Sequence, residues 1–340
     1  MKELRFAMLG YGGIARSHHA GYRRLAEEGF PAKLVALCDI NPAQFESIVN
    51  INNANDSEKG TEGLHLYTSF EELMEKEEFD VLDICLPTYL HATYAVRALR
   101  AGKNVLCEKP MALTVAEAEE MMAAAEESGK QLMIGQCLRF SADYLALKEL
   151  IDSGSIGRVR HMYMERLSAL PVWGFEGWYR DCRRSGGSMQ DLSIHDYDMA
   201  RFLFGDPDRV FSVASNAVVE RGASSSCLLY KNGLSVTVNG SWNEANTFPF
   251  TCSFRLTAEK ATVTWDGRSK VKVYPVDEAP YTLTYDAVDY MAEEIRHFAL
   301  TVAGEIKNEK NPPTSAKRTL DLVCRLVDSA ELGGVTVDFH

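Results

Sequence analysis

The chain contains no cluster of basic residues, no long apolar run and no closely spaced cysteine pair. The first absence argues against nucleic-acid binding, because phosphate backbones are gripped by grouped Lys and Arg side chains. Acidic residues outnumber basic ones, 48 to 36, and the resulting net charge of −12 favours solubility. The second absence excludes a helix that spans a bilayer, which needs about 20 consecutive apolar residues. Met1-Lys2-Glu3-Leu4-Arg5 runs into a strand pattern with no signal-peptide core. No membrane association and a cytoplasmic location are therefore expected. The eight cysteines, at positions 38, 85, 107, 137, 182, 227, 252 and 324, show no CxxC spacing. They read as reduced thiols used as small buried hydrophobes, and no metal site is expected. The histidines are scattered; only His18 and His19 are adjacent, in a helical pattern where neighbours do not face each other.

What is present is an ordinary globular composition, 46% apolar and 25% charged, over 340 residues. That length suggests about two domains. Strand patterns at 5–9, 33–38, 65–67, 81–86, 104–107 and 132–134 alternate with helical ones at 14–28, 91–101 and 114–128. Asn41-Pro42-Ala43-Gln44 reads as a helix start, and Ser69 with Glu72 and Thr114 with Glu117 read as capping boxes. Alternation of this kind predicts an α/β fold with a doubly wound parallel sheet over 1–135. Residues 51–63 are polar and turn-rich and read as an exposed loop. From about residue 157 strand patterns follow one another, joined by hairpin signals such as Asn232-Gly233. Two helical patterns near 286–303 and 315–332 close the chain. The second domain, 136–340, is thus expected to be α+β around a large, mostly antiparallel open sheet.

The glycine run Gly10-Tyr11-Gly12-Gly13-Ile14-Ala15 fits G-x-G-x-x-A between the first strand and the first helix. There, backbone amides can approach a pyrophosphate at a helix N-terminus. Asp39 ends the second strand, where a carboxylate accepts ribose hydroxyls and repels a 2′-phosphate. Ile40 and Asn41 follow it, with no arginine, which favours NAD over NADP. Pro87 and Thr88 end the fourth strand on the expected nicotinamide side, and His91 caps the next helix or lies at the surface. Glu108-Lys109-Pro110 ends the fifth strand, at the edge where open α/β sheets bind ligands. In the second half, Gly186-Gly187 leads into a predicted helix with Asp191 and His195 at i and i+4, an imidazole and a carboxylate suited to proton transfer. A structural pair on a core helix is the other reading of the same spacing.

Together these motifs resemble the glucose–fructose oxidoreductase / inositol dehydrogenase (Gfo/Idh/MocA) family, and the resemblance spans nearly the whole chain. It implies a Rossmann domain followed by an α/β domain whose open sheet forms homodimer or homotetramer interfaces. It also implies that Lys109, Asp191 and His195 are the catalytic triad of a dehydrogenase acting on sugars, cyclic polyols or their derivatives. Cofactor contacts are expected from Gly10, Gly12, Gly13, Ile14, Asp39, Pro87, Thr88, His91, Glu108, Lys109 and Gln136. Arg180 is a further candidate, in competition with Arg183 and Arg184. Ser188 replaces a third glycine common in the family, with only a local change expected. Trp173, Phe175, Trp178 and Tyr179 offer flat faces for a sugar ring or for a subunit contact. The alternatives are a non-catalytic NAD-binding regulator of the same fold and a sugar-modifying enzyme with an internal redox cycle.

Overall fold

Six strands, β1 Leu4–Leu9, β2 Ala32–Cys38, β3 His65–Tyr67, β4 Val81–Ile84, β5 Asn104–Glu108 and β6 Leu132–Gly135, pair in the order β3-β2-β1-β4-β5-β6. Every pairing is parallel. The central strands are nearly continuous apolar runs because both sheet faces are covered. Four helices connect them: α1 Gly13–Glu27, α2 Phe70–Lys76, α3 His91–Arg100 and α4 Val115–Ser128. The computed structural model describes residues 1–46 and 61–340, so most of the loop expected at 51–63 lies outside the described residues. Asn41 starts only a short 3₁₀ turn, Pro42–Phe45, its side chain accepting the Ala43 N–H. The capping box is complete at Thr114 and Glu117, whereas Ser69 caps α2 by accepting the Glu72 N–H.

The second half contains α5 Ala142–Asp152, α6 Cys182–Ser185, α7 Gly187–Asp191 and α8 Ile194–Phe204. Its strands are β7 Val159–Leu167, β8 Arg209–Ser215, β9 Ala223–Leu229, β10 Ser235–Ser241, β11 Thr251–Ala258, β12 Ala261–Trp265, β13 Lys272–Pro275, β14 Tyr281–Thr282 and β15 Val337–Asp338. They form one nine-stranded sheet, antiparallel except where β10 runs parallel to β7. The β9–β10 turn is the expected hairpin, with the Gly233 N–H donating to the Tyr230 carbonyl at 3.0 Å. One sheet face carries the apolar alternation of Met162, Met164, Val236, Val238, Phe254 and Leu256. Tyr144, Leu147, Ile194, Tyr197 and Leu203 pack on it from α5 and α8. The opposite face is polar: Asn239 donates to the Tyr163 hydroxyl, and Tyr163 and Ser253 both donate to Glu165.

Two helices complete the chain, α9 Tyr290–Val302 and α10 Pro313–Glu331. The division is into Met1–Cys137 with Asp289–Lys317, and Leu138–Val288 with Arg318–His340. A single cut after residue 135 was expected; instead 289–317 returns to the first unit. The reason is the apolar stripe of α9. Ala292, Ile295, Phe298 and Ala299 share a core with Phe6, Met8, Tyr22 and Leu25. Each large apolar side chain so buried contributes about 1.5–3 kcal/mol.

Candidate dinucleotide-binding and catalytic residues

In the parallel sheet the chain leaves β1 and β4 in opposite directions, and ligands of such sheets bind at the carboxyl ends near that reversal. Gly10, Asp39, Pro87, Lys109 and Gln136 all follow carboxyl ends, those of β1, β2, β4, β5 and β6. Gly10 has φ +88°, and a Cβ there would lie 2.7 Å from the Cys85 carbonyl oxygen. Its N–H donates to the Cys38 carbonyl at 2.8 Å. A Cβ on Gly12 would meet nothing within 4 Å. Open space therefore faces Gly12, the residue before α1. That helix has no side-chain cap and no acidic residue in its first turn. Uncapped amides at the positive end of a helix dipole fit a pyrophosphate.

Asp39 is half-buried, with Oδ2 accepting the Tyr11 N–H and Oδ1 the Asn41 N–H, both at 2.8 Å. The carboxylate thus braces the glycine loop, and each oxygen keeps a second lone pair for a hydroxyl donor. The Arg16 guanidinium lies 3.9 Å over the Tyr11 ring and donates to the Gln44 carbonyl. This cation sits on the segment after β2 although no arginine follows Asp39 in sequence.

Thr88 is buried and Pro87 half-buried at the end of β4. His91 is not a surface group. It is buried, with Nδ1 2.7 Å from the Pro110 carbonyl oxygen and Nε2 2.8 Å from that of Leu86. The ring sits between the carbonyl of Pro110, one residue past Lys109, and that of Leu86, just beyond β4. Burial pushes its pKa down, against the pull of the two carbonyls. Lys109 is half-buried and precedes Pro110 through a cis peptide bond. Gln136 is almost fully buried, and its Nε2 has no hydrogen-bond partner among the described residues. A buried amide donor left without an acceptor fits a site that a ligand completes.

The sequence reading missed His18, Asp83 and Tyr22. His18 is fully buried between two carboxylates, with Nδ1 2.9 Å from Asp83 Oδ2 and Nε2 2.9 Å from Glu108 Oε1. Tyr22, one turn along α1, donates to Asp83 Oδ2 at 2.9 Å. Burial drives the His18 pKa down, but the charge and hydrogen bond of Asp83 prevail and hold it well above the usual imidazole value. Burial would raise Glu108, yet its bond to His18 lowers it. Glu108 Oε2 accepts the Lys109 N–H at 3.0 Å. A signal was present: Asp83 interrupts the otherwise apolar Val81-Leu82-Asp83-Ile84, and an acid inside a parallel strand is seldom without a partner. The cysteines are all unbridged, and burial pushes Cys38 and Cys85 up to about 12, so they are inert thiols.

In the second unit the expected continuous helix across Asp191 and His195 is broken. Helix α7 ends at Asp191 and α8 begins at Ile194. The Leu192 and Ser193 amides both donate to the Ser188 carbonyl, which interrupts the i to i+4 register. Asp191 is buried and His195 half-buried. Helix α8 is held by two buried ion pairs just after His195: Arg166 with Asp196 at 2.9 and 3.1 Å, and Arg139 with Asp198 at 2.8 and 2.7 Å. The Thr319 hydroxyl adds a donor to Asp198 at 2.7 Å. The Ser188 hydroxyl donates to the Arg221 carbonyl at 2.8 Å. Arg183 pairs with Asp181 and Arg184 with Glu176, while Arg180 is exposed without an ion pair among the described residues. Of the aromatics, Trp178 and Tyr179 are buried in a stack with centroids 4.0 Å apart, and only Trp173 and Phe175 are exposed.

The sequence profile of an oxidoreductase family with an NAD-binding Rossmann fold, GFO_IDH_MocA, matches residues 4–136, and that of the GFO/IDH/MocA C-terminal domain matches 144–264. The chain belongs to the Gfo/Idh/MocA family. Residues 4–136 are the family's NAD-binding Rossmann fold. Among Gfo/Idh/MocA relatives, inositol 2-dehydrogenase of Rhizobium meliloti is 33% identical over 218 residues, 64% of this chain and 59% of the relative. D-apiose dehydrogenase of Paraburkholderia graminis is 30% identical over 245 residues, 71% of this chain and 61% of the relative. The matched part thus covers about three fifths of each relative's length. The WlbA dehydrogenase of Bordetella pertussis, solved with NADH and UDP-GlcNAcA, shares the fold with TM-score 0.80 at 20% identity, over 100% of this chain and 99% of that one. No described helix is long and apolar enough to cross a membrane.

Proposed function

We propose that the protein is an NAD-dependent dehydrogenase that moves a hydride between the nicotinamide and a hydroxyl carbon of a sugar, a cyclic polyol or a derivative. The observation that carries this reading is the placement of Lys109 at the carboxyl end of β5, in a sheet whose other strand ends carry Gly10, Asp39, Pro87 and Gln136. The names of the relatives, dehydrogenases of inositol and of apiose, support the substrate class.

Gly10, Gly12, Gly13 and Ile14 hold the pyrophosphate through backbone amides, and Asp39 takes the adenosine ribose hydroxyls. Pro87, Thr88 and Gln136 face the nicotinamide half. When bound, NAD supplies the hydride acceptor. His195 accepts the substrate hydroxyl proton, Lys109 stabilises the developing alkoxide charge, and Asp191 orients the proton path. These three roles are carried over from the family's pattern, position by position. Arg180 is a candidate for an anionic group of cofactor or substrate. The polar face of the nine-stranded sheet is proposed to join copies of the chain into a homodimer or homotetramer in the cytoplasm. A panel of inositols, aldoses and sugar acids, assayed for NADH and NADPH formation, tests the reading. Turnover with NAD on at least one of them is expected; no turnover on any, with NAD bound, contradicts it.

A further inference from the structure

We infer that His18 is a positioning residue for Lys109: held as an imidazolium between Asp83 and Glu108, it fixes the ionised Glu108 side chain that receives the Lys109 backbone N–H. The inference rests on the proposed dehydrogenase role of Lys109. Both ring nitrogens lie 2.9 Å from carboxylate oxygens. A neutral imidazole has one N–H and serves one acceptor; an imidazolium serves both. The remaining neighbours are also donors into these carboxylates, Tyr22 into Asp83 and the Lys109 N–H into Glu108. The proton that satisfies every contact is therefore the second one on the ring.

The surroundings agree. Cys85, just after β4, lies in the cluster with its Sγ 3.7 Å from Asp83 Oδ1, and its thiol is kept neutral by burial, as is that of Cys107 in β5. Cys137, after β6, and Tyr22 are raised by burial as well. Glu294, buried on α9, adds a further acidic group that acts on Tyr22 and Cys137. His18 is thus the buried cation among acids, in a setting that strengthens each bond. On the other side of Lys109, His91 holds the Pro110 carbonyl. Histidines of α1 and α3 thus bracket Lys109, His18 through Glu108 at the Lys109 N–H and His91 at the Pro110 carbonyl one residue further on. The chain between those anchors is short, so a change in the Glu108 rotamer moves the Lys109 backbone directly.

Ring-nitrogen NMR of the full-length protein tests the charge without any activity. The expected result is a doubly protonated His18 at about pH 8, above the ordinary imidazole range. A neutral tautomer there overturns the inference. Asp83→Asn keeps the side-chain shape and removes the charge. Its His18 should titrate at least about one unit lower, and the alkaline limb of kcat should move the same way while KM for NAD stays within about twofold. A variant that only melts earlier, with the titration and the pH profile in place, overturns the positioning role. Should Asp83→Asn fail to fold, Tyr22→Phe removes one donor and is expected to leave His18 doubly protonated; a neutral ring in it counts against the inference. A wild-type protein that turns over no substrate while His18 is doubly protonated refutes the dehydrogenase reading, and leaves the charge of His18 established.

Discussion

His18 Nε2 and Glu108 Oε1 lie 2.9 Å apart inside the Rossmann unit, and the pair joins the first helix to the end of the strand that carries Lys109. Its pH window follows from the two shifts. The folded pKa of His18 is raised, so its contribution to stability is complete below the unfolded value of 6.5 and is lost as pH rises through the folded one. The folded pKa of Glu108 is lowered, so its contribution is present above 4.5 and is lost as pH falls through the folded one. The difference in melting temperature between wild type and His18→Gln should therefore be largest between about pH 5 and 6.5 and shrink on both sides. A difference that grows steadily above that window would contradict the pairing.

The α8 clamp carries a separate prediction. Arg139 and Asp198 are both buried, with two short bonds between them. Removing one member leaves an uncompensated buried charge, a cost of about 3–5 kcal/mol. Asp198→Ala should lower the melting temperature markedly, and adding Arg139→Met should recover part of the loss. Additive losses in the double variant would show that the two residues do not act as a pair.

Two glycines of the same loop should respond differently. Gly10→Ala places a methyl group against the Cys85 carbonyl at positive φ, a strain of about 1–3 kcal/mol. It should lose both thermal stability and NAD binding. Gly12→Ala meets open space and should keep its stability while NAD affinity falls. Melting curves with and without NAD separate the two.

Asp39 and Arg16 together set an expectation for cofactor choice. Asp39→Asn keeps an acceptor for the Tyr11 N–H and removes a charge that repels a 2′-phosphate, while Arg16 remains on the same segment. The kcat/KM ratio of NADP to NAD should rise by at least about tenfold, since like-charge contacts cost several kcal/mol. An unchanged ratio would place the discrimination elsewhere.

The fold was legible because its signals are local. Continuous apolar strands between amphipathic helices specify a parallel sheet, and Asn232-Gly233 specifies a hairpin wherever it falls. Helix α9 was misassigned to the second domain because a helical stripe does not name the surface it will cover. The run from Ser188 to Asp198 looked like one helix because no residue in it forbids helical backbone. The break comes from hydrogen bonds of Leu192 and Ser193 back to Ser188. At the candidate site, Gly10, Asp39 and Lys109 were readable from their strand ends, and their family motifs assigned them roles. His18, Asp83 and Glu108 stand 65 and 90 residues apart along the chain. Their meeting depends on α1 packing on the sheet, which only the charged residue within β4 announced. His91 was misread for the same reason: its carbonyl partners are set by tertiary structure.

The central claim is that Lys109 and His195 carry the proton chemistry of an NAD-dependent oxidation. The most direct test is steady-state NADH formation by wild type, Lys109→Ala and His195→Asn on the best substrate of the panel, with NAD affinity measured alongside. Each substitution is expected to lower kcat by a factor on the order of 10² to 10⁴ while NAD affinity stays nearly intact. Turnover at the wild-type rate in either variant would contradict the claim.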